Sequence, residues 1–193
     1  MLLLSGGIDS LALAYWVKPS HALTVDYGQR PAAKECSVAT HVARAWGIEH
    51  QTLQTRLQGV GAGTLAGTSV LPEAPTPEWW PFRNQLLITV AAMAAIKAGI
   101  REILIGTVCS DAQHADGRAA FLSAMQELLR CQEGGIKISA PALHLTSEEL
   151  VRISAIPRES LACAHSCHVG AFACNRCRGC LKHATIFEQF GLT

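Results

Sequence analysis

The chain has 193 residues, 49% of them hydrophobic, enough to bury one sizeable core. Sixteen Lys and Arg against 15 Asp and Glu leave a formal net charge of +1, so no global field marks the protein as a binder of nucleic acid or of a membrane surface. No apolar run reaches the roughly 18 residues of a membrane span, and the short apolar start runs at once into glycines rather than into a signal-peptide core. A cytoplasmic protein with no membrane partner is expected.

In chain order, residues 1–4 are an apolar run that ends in Ser5-Gly6-Gly7, and residues 10–16 follow as a helix-forming stretch: strand, glycine turn, helix. Residues 22–25 predict a buried strand, 31–46 a helix with Gly47 as its C-terminal cap, and 51–53 another strand. Residues 58–81, rich in glycine and proline and without periodicity, read as a long loop, and loops of that length are lids, binding loops or disordered segments. Residues 84–98 form a helix that is apolar almost all round and so largely buried. A strand at 101–105, an amphipathic helix at 116–131, a short strand at 136–138 and a helix at 147–153 complete the series, the last beginning after Thr146 with Glu148 and Glu149 in its first turn. Strands alternating with helices imply an α/β fold, an open, mostly parallel, Rossmann-like sheet covered on both faces, whose ligands bind beyond the carboxyl ends of the strands.

Ser5-Gly6-Gly7-Ile8-Asp9-Ser10 falls where such a sheet binds anions, because glycine admits positive φ and lets successive N–H groups point inward at a helix start. The plainer reading is a tight turn with Asp9 or Ser10 as cap. No Gly-Lys-Ser/Thr follows, so it is not a Walker A loop. Near the other end, Cys167, Cys174, Cys177 and Cys180 supply four thiolates, the full set for a closed tetrahedral zinc site, with an iron–sulfur cluster as the alternative. Cys36, Cys109, Cys131 and Cys163 are scattered and read as small buried hydrophobes. Arg176, Arg178, Lys182 and His183 surround the knuckle, as contacts to phosphate or RNA or as a solvated basic face. The organisation expected is an ATP-binding unit over 1–162 and a zinc knuckle with a C-terminal helix over 163–193.

The glycine string resembles the pyrophosphate loop (PP-loop) of the ATP pyrophosphatases, such as GMP synthetase, asparagine synthetase and the tRNA thiolation enzymes. That resemblance implies the adenine nucleotide alpha hydrolase type of fold, ATP held by Leu4, Ser5, Gly6, Gly7, Asp9 and Ser10, attack of a substrate oxygen on the α phosphorus, and Mg2+ held with the help of Asp9. Further strings are similar to the QueC, or 7-cyano-7-deazaguanine synthase (ExsB), family. They are Asp26-Tyr27-Gly28-Gln29-Arg30, Phe82-Arg83-Asn84, Gly106-Thr107 through Asp111, Asp116-Gly117-Arg118 with Phe121, and Ser166-Cys167 through Cys180. Asp26, Tyr27 and Gln29 are then the side chains expected near ATP, although turn-forming roles suit Asp26 and Gln29 equally. Arg83, Asn84, Thr107, Asp111 and Asp116 are expected at the substrate. Arg83 offers a rigid fork for a carboxylate or phosphate; Asn84 suits a helix N-cap as well as a ligand; Asp111 and Asp116 suit either a purine-like edge or turn capping. Asp9, Arg83 and Asp111 are the expected catalytic set, and His114 between the two aspartates reads as a solvated loop residue.

The family resemblance implies that ATP adenylates the carboxylate of 7-carboxy-7-deazaguanine, that ammonia displaces AMP to give the amide, and that a second activation gives the nitrile. It also implies a homodimer. The chain departs from the family's usual strings at Leu145-Thr146-Ser147, where a lysine is expected, and at Ala164-His165-Ser166, where an aromatic residue is expected. Those departures keep open a QueC-like enzyme of bacterial antiviral (CBASS) operons, which conjugates the activated deazaguanine to a protein amine. A zinc-knuckle RNA-binding or tRNA-modifying subunit is a reading of another class, supported by the basic residues near Cys177.

Overall fold

The structure, a computed structural model, describes residues 1–192. Its strands and helices alternate: β1 (Leu2–Leu3), α1 (Ile8–Val17), β2 (His21–Asp26), α2 (Ala32–Ala45), β3 (Glu49–Gln54), α3 (Gly63–Ala66), α4 (Arg83–Lys97), β4 (Glu102–Leu104), α5 (Ala119–Arg130), β5 (Lys137–Ser139), α6 (Ser147–Ser154), α7 (Arg158–Leu161) and α8 (Arg178–Gln189). All five strands are parallel, in the order β3-β2-β1-β4-β5. The chain winds outward from β1 in one direction through β2 and β3, then returns to the other side of β1 for β4 and β5. The crevice between the carboxyl ends of β1 and β4 is therefore the switch point at which an open α/β sheet binds ligands.

Alternation along the strands sends side chains to opposite faces, so each face gains its own core. On one face Leu2, Leu4 and Ala22 pack with α1, α2 and α6; on the other Leu23, Val25, Ile103 and Ile105 pack with α4 and α5. The C-terminal segment joins the first of these cores: Ile186 of α8 is fully buried there beside Leu11 and Leu150, with Ala164, Phe187, Phe190 and Leu192 packed against it.

Several expectations change at the level of elements. Helix α1 starts at Ile8 with Gly7 as its N-cap, so Asp9 and Ser10 lie in its first turn instead of capping it. Helix α5 starts at Ala119, because Ala115–Gly117 forms a separate 3-10 turn and Arg118 is extended. Helix α4 is not buried all round: Met93 and Ile96 are 61% and 44% exposed, on a stripe that also carries Thr89 and Lys97. Its N-cap is Phe82 at φ +57°, which places Asn84 inside the first turn and removes the capping role. The segment 58–81 is a packed loop. It contains a 3-10 turn at Gln58–Val60 and the short α3, and it buries Leu65, Thr76, Glu78 and Trp80. Thr64 N donates to the Pro77 carbonyl (2.8 Å) and Arg30 N to that of Leu65 (2.8 Å), so its backbone is tied both to itself and to the turn after β2.

Candidate functional site

A cavity of about 620 Å³ opens at the switch point, within the range of small-molecule sites. Its floor is the loop from β1 to α1. Gly6 holds φ +77°, and a Cβ there would stand 2.9 Å from the Glu35 carbonyl oxygen and 3.1 Å from Val38 Cβ, so glycine is demanded by conformation and by space. Gly7 N donates to Ser5 Oγ (3.4 Å), Ser5 Oγ to Ser10 Oγ (3.1 Å), and Ser10 Oγ to the Gly7 carbonyl (2.9 Å). This small network shapes a turn that leads into the positive end of the ten-residue α1. Asp9 in that first turn has one oxygen, Oδ2, paired with Lys182 Nζ at 2.6 Å, while Oδ1 is buried with no partner. An unpaired buried carboxylate oxygen is costly, and a cation is the kind of ligand that removes the cost, so the residues fit Mg2+.

Leu4, Ser5, Gly7, Asp9, Ser10, Tyr27 and Gln29 line the cavity together with Arg83, Asn84, Thr107, Asp111 and Asp116. Gly6 lies behind the loop, and Asp26 is not a lining residue. The Asp26 carboxylate accepts from Gly28 N (2.9 Å) and Gln54 Nε2 (3.1 Å), while Gln29 accepts from Tyr27 N (2.9 Å) and donates to the Val25 carbonyl (3.2 Å) and Glu35 (2.8 Å). Both therefore build the turn after β2, the second of the two roles their types allow. Tyr27 and Trp80 pack edge to face, centroids 4.9 Å apart, which seats the 58–81 loop on the sheet.

Arg83 lies near Tyr27 and in the field of the Asp116 and Glu35 carboxylates. Burial alone would lower its pKa, but these neighbours outweigh burial and raise it, so it stays cationic. Burial pushes the Tyr27 phenol up to about 12 and raises Glu35, in both cases against the pull of Arg83. Asp111 is also raised by burial, although its Oδ2 accepts from Val108 N (3.0 Å). Asp116 accepts from Asn84 N (3.4 Å), and Asn84 Nδ2 donates to the Asp116 carbonyl (3.1 Å). One oxygen of each aspartate thus holds a turn or a helix start. His114 lines the cavity and lies within 3.5 Å of Thr76 Oγ1, so it is not the solvated loop residue expected, and burial lowers its pKa.

The roof comes from the C-terminal segment. The Sγ atoms of Cys167, Cys174, Cys177 and Cys180 lie within 4.8 Å of one another. A tetrahedron of Zn–S bonds near 2.3 Å has edges of about 3.8 Å, and the Cys174 to Cys180 separation is 3.9 Å. That spacing suits one metal ion better than a multi-iron cluster, whose thiolates stand on different irons. Backbone N–H groups of His168, Val169, Cys177 and Cys180 donate to the sulfurs at 3.4–3.5 Å, and such donors stabilise thiolates. N–H bonds from Arg176 and Cys177 hold Cys174 down to about 6, whereas burial pushes Cys180 up to about 12. His165 N donates to the Gly6 carbonyl (2.9 Å), docking the knuckle on the glycine turn.

Cys36 and Cys163 are half-buried and Cys109 and Cys131 exposed, not the buried residues expected. Sequence reasoning missed Glu35, Glu78 and His168, and it left Arg178 and Lys182 with two roles each. Lys182 reaches Asp9; Arg178 pairs with Glu78 at 3.0 Å, joining the knuckle to the 58–81 loop across 100 residues; Glu35 backs Gln29; and His168 lines the cavity with a buried, unpartnered Nδ1. Lys182 and Arg178 were visible as basic residues beside the cysteines, but their direction was not. Glu78 carried no signal, because its loop has no periodicity. Arg178 and Lys182 keep 44% and 37% of their side chains exposed while pairing with Glu78 and Asp9, and His183 is set against Ser166 Oγ (3.2 Å) and Phe187.

Among the described residues no helix is long and apolar enough to cross a membrane. The family model described as queuosine biosynthesis protein QueC matches residues 1–191. The chain is 32% identical over 205 residues to a 7-cyano-7-deazaguanine synthase of Porphyromonas gingivalis, covering all of this chain and 93% of that one. It is 31% identical to the synthase of Azotobacter vinelandii, covering all of this chain and 95% of the relative, and 28% identical to that of Methanothermobacter thermautotrophicus, covering 98% and 94%.

Proposed function

The chain belongs to the QueC family of queuosine biosynthesis proteins, and from that premise we propose that it is an ATP-dependent carbon–nitrogen ligase acting on 7-carboxy-7-deazaguanine. The observation that carries the reading is the glycine turn at the switch point, with the start of α1 and Asp9, whose Oδ1 is buried and unpartnered, lining one cavity large enough for small ligands. In the reaction, a carboxylate oxygen of the acid attacks the α phosphorus of ATP and pyrophosphate leaves, giving the acyl adenylate. Ammonia attacks the acyl carbon, loses a proton and displaces AMP, giving the amide. A second ATP activates the amide oxygen in the same way, and loss of AMP and protons from nitrogen leaves the nitrile.

The chain's own contribution is placement and charge, as expected for attack at phosphorus. N–H groups of the turn and of the first turn of α1 would hold the pyrophosphate side; Asp9 would hold Mg2+, which adds positive charge where the leaving group gains negative charge. Arg83, kept cationic by its neighbours, would orient the carboxylate or the α phosphate, and Asn84, Thr107, Asp111 and Asp116 would line the acid's side of the cavity. Cys167, Cys174, Cys177 and Cys180 would hold Zn2+ as a structural ion that fixes the roof. A homodimer extends the reading on the family resemblance alone.

Mass analysis of the product formed from 7-carboxy-7-deazaguanine, ATP and ammonia tests the assignment. Conversion through the amide to the nitrile, with two AMP released per nitrile, is expected. No product with ammonia, together with a covalent deazaguanine adduct on a partner protein, overturns it in favour of an enzyme that conjugates to a protein amine.

A further inference from the structure

We propose that Lys182 is the side-chain cation that grips the pyrophosphate portion of ATP, held on Asp9 until a metal takes that carboxylate; this rests on the PP-loop reading above. A bound triphosphate brings several negative charges, and the turn's N–H groups are only partial positive charges. Three cationic side chains line the cavity: Arg83, Arg178 and Lys182. Arg83 lies near Tyr27 and in the field of Asp116 and Glu35, and on the reading above it serves the carboxylate or the α phosphate; Arg178 is paired with Glu78. The start of α6, Thr146-Ser147-Glu148, brings no cation, and Thr146 Oγ1 is used to accept from Glu149 N (3.1 Å).

Lys182 differs from the two arginines in its partner. Its ammonium sits 2.6 Å from Asp9 Oδ2, and Asp9 is the carboxylate whose other oxygen is buried and unpaired in the anion-binding turn. A metal drawn to Asp9 weakens the hold on Lys182 just as phosphate oxygens arrive beside it. The side chain has room to turn: it is 37% exposed, whereas Asp9 is 20% exposed. Its base is fixed. Lys182 stands in the second turn of α8, whose N-cap is Cys177 and whose Cys180 N donates to Cys177 Sγ, so the cysteine cluster aims the lysine at the turn. A lysine suits the task because its ammonium can reorient from a carboxylate to a phosphate as a compact point charge.

Calorimetric titration of zinc-loaded protein with inorganic pyrophosphate tests this, a readout independent of turnover. With Mg2+ present, Lys182→Met is expected to weaken pyrophosphate about tenfold, the size of one charge-assisted contact discounted for exposure, while Lys182→Arg stays close to the wild type. Without metal, Asp9→Asn frees the lysine and tightens binding, and the double variant with Lys182→Met loses more than half of that gain. Zinc content and melting temperature verify that each variant is folded, and Lys182→Gln replaces Lys182→Met if the latter sheds zinc. Wild-type affinity in Lys182→Met with Mg2+, or additive effects in the double variant, overturns the proposal and leaves the PP-loop reading standing. A wild type that ignores pyrophosphate overturns both.

Discussion

The ion pair between Glu78 and Arg178 is asymmetric, and its two halves should fail by different amounts. The Glu78 side chain is 11% exposed and that of Arg178 44%, with N to O at 3.0 Å. Arg178→Ala leaves a carboxylate inside the protein without its partner. A fully buried orphan charge costs about 3–5 kcal/mol and an exposed pair about 0–1, so with one partner near the surface about 2 kcal/mol is expected. Glu78→Gln keeps an acceptor for the guanidinium, which can also rehydrate, and should cost about 0.5 kcal/mol. For a chain of this length 1 kcal/mol moves the melting temperature by about 2–4 °C. Arg178→Ala should thus lower it by about 4–8 °C and Glu78→Gln by about 1–2 °C. Adding Glu78→Gln to Arg178→Ala should recover part of the loss, because the stranded charge is gone. Differential scanning calorimetry of ligand-free, zinc-loaded protein measures all three, and limited proteolysis within 58–81 reports whether the loop loosens. Equal losses from the two single variants, or no recovery in the double variant, would refute the claim that a buried carboxylate ties this loop to the knuckle.

Purified protein should carry about one zinc per chain, and Cys177→Ser should release it and lower the melting temperature, by metal analysis and calorimetry, because Cys177 is both a thiolate of the cluster and the N-cap of α8. Asp9→Asn should abolish substrate-dependent pyrophosphate release while the far-ultraviolet circular dichroism stays the same; an unchanged yield would sink the role given to the turn. Burial lowers the pKa of His50, whose Nε2 lies 2.8 Å from Thr24 Oγ1. Its stabilising contribution is therefore complete above the unfolded value near 6.5 and is lost as the pH falls through the lower folded value. Urea unfolding should show His50→Gln less sensitive than the wild type to acidification below about pH 6.5.

The sequence by itself determined the parts of this protein that depend on local chemistry. Apolar runs alternating with helical stretches pointed to a parallel α/β sheet, since central strands such as β1 and β2 are covered on both faces, while the edge strands β3 and β5 are polar and partly exposed. Ser5-Gly6-Gly7 was legible because positive φ at Gly6 restricts that position to glycine, and the four cysteines because thiolate spacing is itself the signature of a metal site. Other properties were settled only by packing. Asp26, Gln29, Asp111 and Asp116 each had a turn-building and a ligand role, and only the neighbours of each oxygen and nitrogen show how many remain free for a ligand. The loop at 58–81 carried no periodic signal because its order comes from Trp80 on Tyr27 and from Glu78 on Arg178, contacts across the fold. Lys182 lies 173 residues from Asp9 in the chain and 2.6 Å from it in the structure. No local pattern encodes that meeting: it requires β1 to place the glycine turn, the cysteine cluster to dock on Gly6 through His165, and α8 to bury Ile186 in the core to which α1 also contributes, so that Lys182 reaches the crevice.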